Sequence, residues 1–229
     1  MIFRQRLFFL FCIFFFIVFC VLGVWQLKRY HYKKTLIMNY QQQQLAAPVA
    51  LNEKSLPSLQ PFQRIFVEGE YRNDLTVLLQ NQFYKDQLGF HVLTPFQIKN
   101  EKKLLLIDRG WIPREHAPLK KITGKQRVMG DVKWLSEKSF ILGKNILDVY
   151  AYPLQIQKID LKEISLVMNK SFYPFILRLD PKSPNGFARE WVITAMPAER
   201  HLGYAVQWFL MAFVLFIAAI CFYRTREKK

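Results

Sequence analysis

Cysteine is scarce in this chain and badly placed for its usual roles. The 229 residues include three, Cys12, Cys20 and Cys221, and all three lie in long uncharged runs. The stretch between those runs has none. It is therefore held by no disulfide and has no Cys-based metal site, which excludes a copper chaperone of the CxxxC type. Acidic residues are also few, 17 against 33 Lys and Arg, leaving a formal net charge of +16. The common enzyme signatures are missing as well: Gly-x-Ser-x-Gly, a phosphate loop, HExxH and a dinucleotide fingerprint are all absent. Lacking a nucleophile–base arrangement, the chain does not read as a membrane-tethered hydrolase. There is no internal repeat, and the four glutamines at 41–44 are the one low-complexity run.

Two apolar runs stand out, residues 7–27 and residues 202–223, of 21 and 22 residues. About 20 apolar residues span a bilayer as a helix. The first run is longer than a signal-peptide core and ends in Gly23-Val24-Trp25-Gln26-Leu27 without an Ala-x-Ala pattern, so a retained span is expected. Arg4 and Arg6 precede it, and residues 224–229 form a basic tail after the second. The positive-inside rule then puts both termini in the cytoplasm and the middle, residues 28–201, outside. Lys28, Arg29, Lys33 and Lys34 oppose this, but charges in a long translocated domain carry little topological weight. The tail is too short for the output domain of a membrane sensor.

The middle holds 27 Lys and Arg against 16 Asp and Glu. An outward-facing membrane protein meets no nucleic acid. Anionic membrane lipid or acidic protein patches suit this charge, and ordinary solubility explains it equally well.

Residues 28–44 lack Gly and Pro and continue the first helix, after which Pro48, Pro57 and Pro61 make 46–61 extended and loop-like. Strands are expected at 64–71, 76–80, 90–96, 103–109, 126–135, 145–152 and 173–179, with a last one at 191–194. The apolar centre of 103–109 reads as buried on both faces, and Gly110-Trp111-Ile112-Pro113 ends it. One helix begins after Asp160, with Glu163 placed for a capping box and Leu161, Ile164, Val167 and Met168 on one face. The fold class is thus a membrane protein with two transmembrane helices flanking a β-rich domain, a small barrel or a twisted antiparallel sheet, with one helix.

Among four histidines, His31 reads as an interfacial polar residue, and His91 and His116 as structural or solvated. His201 opens the second span. Leu202, Ala205 and Trp208 follow one, four and seven residues on, which puts Ala205 and Trp208 near the His201 face of a helix. Neutral imidazole is a common haem iron ligand, Ala would leave room for a flat ring and Trp could stack on it. A polar cap at the membrane interface is the competing reading. Arg109-Gly110-Trp111 is a second candidate, whose structural reading is a strand end, a sharp turn and a packed indole.

Four segments then occur in order: Leu22-Gly23-Val24-Trp25-Gln26-Leu27-Lys28-Arg29, Gly89-Phe90-His91-Val92-Leu93-Thr94-Pro95-Phe96, Asp108-Arg109-Gly110-Trp111-Ile112-Pro113, and His201-Leu202-Gly203-Tyr204-Ala205-Val206-Gln207-Trp208-Phe209. Together they resemble the surfeit-locus-one family of cytochrome c oxidase assembly factors over nearly the whole chain. The resemblance implies a non-catalytic protein of the bacterial inner membrane that binds haem a and assists its insertion into oxidase subunit I. It implies His201 as the iron ligand, with the Trp25 end of the first span as its neighbour; Tyr204 and Trp208, which follow His201 on the helix, and Arg200 complete the expected cofactor site. Subunit I is the expected partner, with haem a synthase as a further one. The chain departs from the family at Arg200, where Asn is usual, and at Gln207, where Thr is frequent; Arg200 suits a haem propionate. The alternative is a cofactor-free membrane scaffold that stabilises subunit I during assembly.

Overall fold

A computed structural model describes residues 2–115, 118–135 and 153–227. In chain order these form helix α1 (Ile2–Leu45), strands β1 (Val49–Ala50), β2 (Arg64–Tyr71), β3 (Val77–Tyr84), β4 (Gln87–Ile98), β5 (Leu104–Pro113), β6 (Gln126–Trp134) and β7 (Leu154–Ile156), helix α2 (Leu161–Met168), strand β8 (Phe172–Leu179) and helix α3 (Ala198–Glu227). Short 3-10 turns occupy Glu53–Ser58 and Asn73–Leu75. The chain divides into two compact units, Met1–Asn39 with Val192–Lys229, and Tyr40–Trp191.

In the second unit β2 is bonded on both edges. It pairs with β6 from Arg64 to Gly69 and with β4 from Gly69 to Tyr71. The ladder then runs β2–β6–β8–β5–β4 and back to β2, a closed five-stranded barrel. A ring with an odd number of strands cannot alternate direction all the way round, and β5–β8 is the parallel pair that resolves it. Gly69 sits where β2 is shared: a Cβ there would collide with the backbone of Gln97. β1 extends the sheet from β2, and β3 and β7 extend it from β4.

Alternation along the strands makes two cores. Ile65, Val67, Phe96, Leu105, Ile107, Phe175 and Leu177 point into the barrel. Leu93, Leu106 and Ile176 point outward and are covered by α2 through Ile164 and Met168. Asp160 caps α2, its carboxylate accepting from the backbone N–H groups of Lys162 and Glu163, and Asn169 closes it in the left-handed region. β5 is buried on both faces, as its unbroken apolar run predicts.

Three expectations differ. β5 does not end at Gly110. That residue, at φ +105°, lies where the β4–β5 register shifts, and the strand runs on to Pro113. No strand forms at 191–194. The backbone of Trp111 on β5 is already bonded to Ala188, and the Trp191 indole N–H donates to Leu179 O. Within 46–61, β1 and a 3-10 turn containing Pro57 interrupt the loop. The strand expected at 145–152 and His116 lie outside the described residues.

The outward face of the barrel carries a row of alternating charge. His91 Nδ1 meets both Asp108 oxygens at 2.9–3.0 Å, Arg178 pairs with Asp131 through two hydrogen bonds, and Arg64 meets Asp180 at 3.0 Å. Register explains the row, because Asp108, Arg178, Asp131 and Arg64 are successive cross-strand partners on β5, β8, β6 and β2. Tyr40, Phe62 and Trp191 each lie 5.5–5.8 Å from the Arg178 guanidinium.

Arg178 and Asp131 are 4% exposed each, so removing one partner strands the other. Asp131→Ala should cost about 3–5 kcal/mol in chemical unfolding, well above the effect of an exposed Asp74→Ala change. Tyr71 makes a second prediction. Its hydroxyl is buried in the barrel with no hydrogen-bond partner among the described residues, and burial pushes its pKa up from 10.0 to about 12. The unfolded phenol ionises first, so this contribution to stability is full below pH 10 and falls as pH rises towards 12, by about 3 kcal/mol. Tyr71→Phe should leave stability at pH 7 unchanged or raised by about 1 kcal/mol and should flatten the alkaline decline, read by unfolding curves between pH 8 and 12.

Candidate functional site

In the first unit α1 and α3 pack antiparallel. Phe8 meets Phe222, Phe16 meets Phe216, Phe19 meets Trp208 and Gln26 meets His201. Further along, Lys33 Nζ donates to Met196 O at 2.9 Å. Both helices are long and apolar enough to cross a membrane. On α3 the buried positions are Ala198, His201, Ala205 and Ala212. These follow three- and four-residue spacing, and the three alanines recur every seven residues, a seam of small side chains that lets helices approach closely. Gly23 does the same on α1: a Cβ there would come within 2.7 Å of the Phe209 ring.

His201 is the polar member of that seam, 8% exposed. Its Nδ1 lies 2.7 Å from Gln26 Oε1. An amide oxygen only accepts, so with Oε1 turned to the ring Nδ1 carries the proton, and in the neutral imidazole Nε2 keeps its lone pair. Nε2 is buried and has no partner among the described residues. Leaving such an atom unmatched costs about 1–3 kcal/mol. A ring held at one nitrogen by an acceptor, with the other nitrogen bare, is the arrangement of a metal-ligating histidine with its supporting shell. The donor set therefore fits an axial iron ligand.

The other expected site residues are spread around this centre. Trp208 is half-buried, its ring 5.8 Å from Phe19. Ala205 is fully buried in the seam. Tyr204 and Trp25 are 43% and 51% exposed, and Arg200 is exposed. The side chain of α1 that meets His201 is Gln26, the neighbour of Trp25. Nothing in a uniformly apolar helix signals which way it is turned, so Gln26 could be singled out only as the one uncharged polar side chain among residues 13–27 that can reach across a seam.

The second candidate segment sits in the barrel. Arg109 is 3% exposed and points inward, Gly110 takes the bulge, and Trp111 is buried with its indole N–H donating to Gln82 O at 2.9 Å.

Fold and site thus define a class: a small β-barrel with two helices apolar enough to cross a membrane, which bury one histidine between them. The SURF1 family profile matches residues 13–213, and the chain belongs to that family. It is similar to the SURF1-like protein of Rickettsia felis, 25% identical over 89% of this chain and 91% of that protein. It is also similar to SURF1-like proteins of Monosiga brevicollis, 23% identical over 82% of this chain and 77% of the relative, and of Dictyostelium discoideum, 27% identical over 56% of this chain. The chain's match spans about half the length of the Dictyostelium protein, 54%.

The tautomer is testable. In side-chain nitrogen NMR of the full chain in micelles, His201 should show a protonated Nδ1 and a bare Nε2. Gln26→Leu should mix the two tautomers without changing the helix content.

Proposed function

We propose that this protein is an assembly factor for cytochrome c oxidase that holds haem a at His201 and assists its insertion into oxidase subunit I. It works from the bacterial inner membrane, with both termini in the cytoplasm and the barrel outside. One observation carries the reading: His201 keeps a bare, buried Nε2 while Gln26 fixes its other nitrogen. Membership of the SURF1 family supports the link to the oxidase.

In this reading His201 supplies one axial ligand, and haem a is cargo. The cofactor's iron chemistry belongs to the oxidase, and this chain's work is binding, orientation and release. Gln26 positions the imidazole. Arg200, exposed at the opening of α3, offers a guanidinium to a propionate. Trp208, Tyr204 and Trp25 supply aromatic surface beside an apolar ring. Transfer needs only binding weaker than that of the final site, so no catalytic group is required. Haem a synthase is the natural donor and subunit I the acceptor.

The test is the spectrum of the full chain purified from cells that make haem a. Co-purified haem is expected, lost in His201→Ala and held about 10- to 100-fold more weakly in Gln26→Leu, the usual effect of removing a ligand's supporting hydrogen bond. A His201→Ala protein with full haem content would overturn the assignment. A protein that is colourless from cells that make haem a, and that still captures subunit I when haem a synthesis is deleted, would favour the cofactor-free scaffold instead.

A further inference from the structure

Arg109 is a buried cation without a counterion. It is 3% exposed, and among the described residues no carboxylate lies within ion-pair distance. Its Nε donates to Asn185 O at 2.9 Å and its Nη1 to Thr94 Oγ1 at 3.3 Å. Tyr71 and Phe187 present ring faces at 5.5 and 4.8 Å. Tyr71 cannot neutralise it, since burial keeps that phenol protonated. Burial lowers the Arg109 pKa most; Tyr71 acts against that, and the positive charge of Arg189 adds to it. The charge is thus solvated by dipoles and rings alone, an expensive arrangement in a core.

Arg109 also lines a cavity of about 310 Å³. Its wall includes Asn73, Thr76, Lys120 and Lys121. The cavity is built, because Thr94 Oγ1 continues to Thr76 Oγ1 at 3.4 Å and Thr76 Oγ1 donates to Asn73 O. Asn73 in turn clamps the lysine-bearing loop through two hydrogen bonds with the backbone of Ile122. Asp74 is the one acid on the wall among the described residues, and Arg72 already holds it at 2.9 Å.

We propose that this cavity is an anion site for a phosphate group, with Arg109 at its base and Lys120 and Lys121 at its mouth. The chemistry favours phosphate over carboxylate. Two of the five guanidinium N–H groups are committed to the protein, which leaves the remaining Nη1 and Nη2 donors for a ligand. Together with two ammonium groups they offer three positive charges to one ligand, more than a single carboxylate matches and suited to an oxyanion with several oxygens. The phosphate comes from a soluble phosphorylated molecule or from an anionic lipid headgroup. The site is independent of His201.

The experiment uses the full chain in zwitterionic micelles, titrated by calorimetry with inorganic phosphate and, separately, with dihexanoylphosphatidylglycerol below its micellar concentration. Saturable binding of phosphate identifies a soluble source, and binding of the short-chain lipid alone identifies a headgroup. In either case Lys120→Ser/Lys121→Ser should weaken binding at least tenfold, and Lys125→Ser/Lys182→Ser, which removes equal charge elsewhere, should not. Arg109→Gln should match the first pair; where it fails to fold, the lysine variants decide. No saturable binding of either probe, or equal losses in the two lysine pairs, overturns the site.

Discussion

Barrel closure through β2 is the constraint on which the β unit depends. A strand can serve two neighbours along its length only if the backbones come very close where it changes partner, and Gly69 permits that approach. Once β2 closes the ring, the odd strand number forces one parallel pair, and the chain meets that demand by returning from β6 through β7 and α2 to β8. The helix that covers Leu93, Leu106 and Ile176 belongs to that connection, which brings β8 in between β5 and β6.

Closure also sorts charge. Residues in register on neighbouring strands share a face, so alternating signs on β5, β8, β6 and β2 neutralise one another on the outer wall. Inside, strand alternation turns Arg109 towards a wall of Tyr71, Thr94 and Phe187, where no acid among the described residues pairs with it. One residue separates the two regimes: Asp108 faces out to His91, and Arg109 faces in. The barrel is electrostatically closed outside and open within.

Much of this was legible in residues that act locally. Asp160 as a helix cap, the apolar face of α2 and the doubly buried centre of β5 depend on neighbours in sequence or on simple periodicity, and they were read correctly. What failed depended on distant partners. Gly110 looks like a strand end, but β4 carries the matching register shift and the strand continues. Trp191 lies in a run of β-formers, yet its side chain is used on Leu179 O while Ala188 takes the available edge of β5.

The histidine site shows the same division. His201 could be singled out from one helix, because its position relative to Ala205 and Trp208 follows from helical spacing alone. Its partner could not, because that depends on the rotation of α1, and residues 7–24 of α1 are apolar on every face. Close packing supplies the answer. Gly23 must face α3 to admit Phe209, and a residue three positions on shares that face, whereas one two positions on does not. Gln26 is therefore turned to His201 and Trp25 to the side. The glycine that brings the helices together thus also turns Gln26 to the imidazole, so packing and hydrogen bonding at this seam are a single constraint.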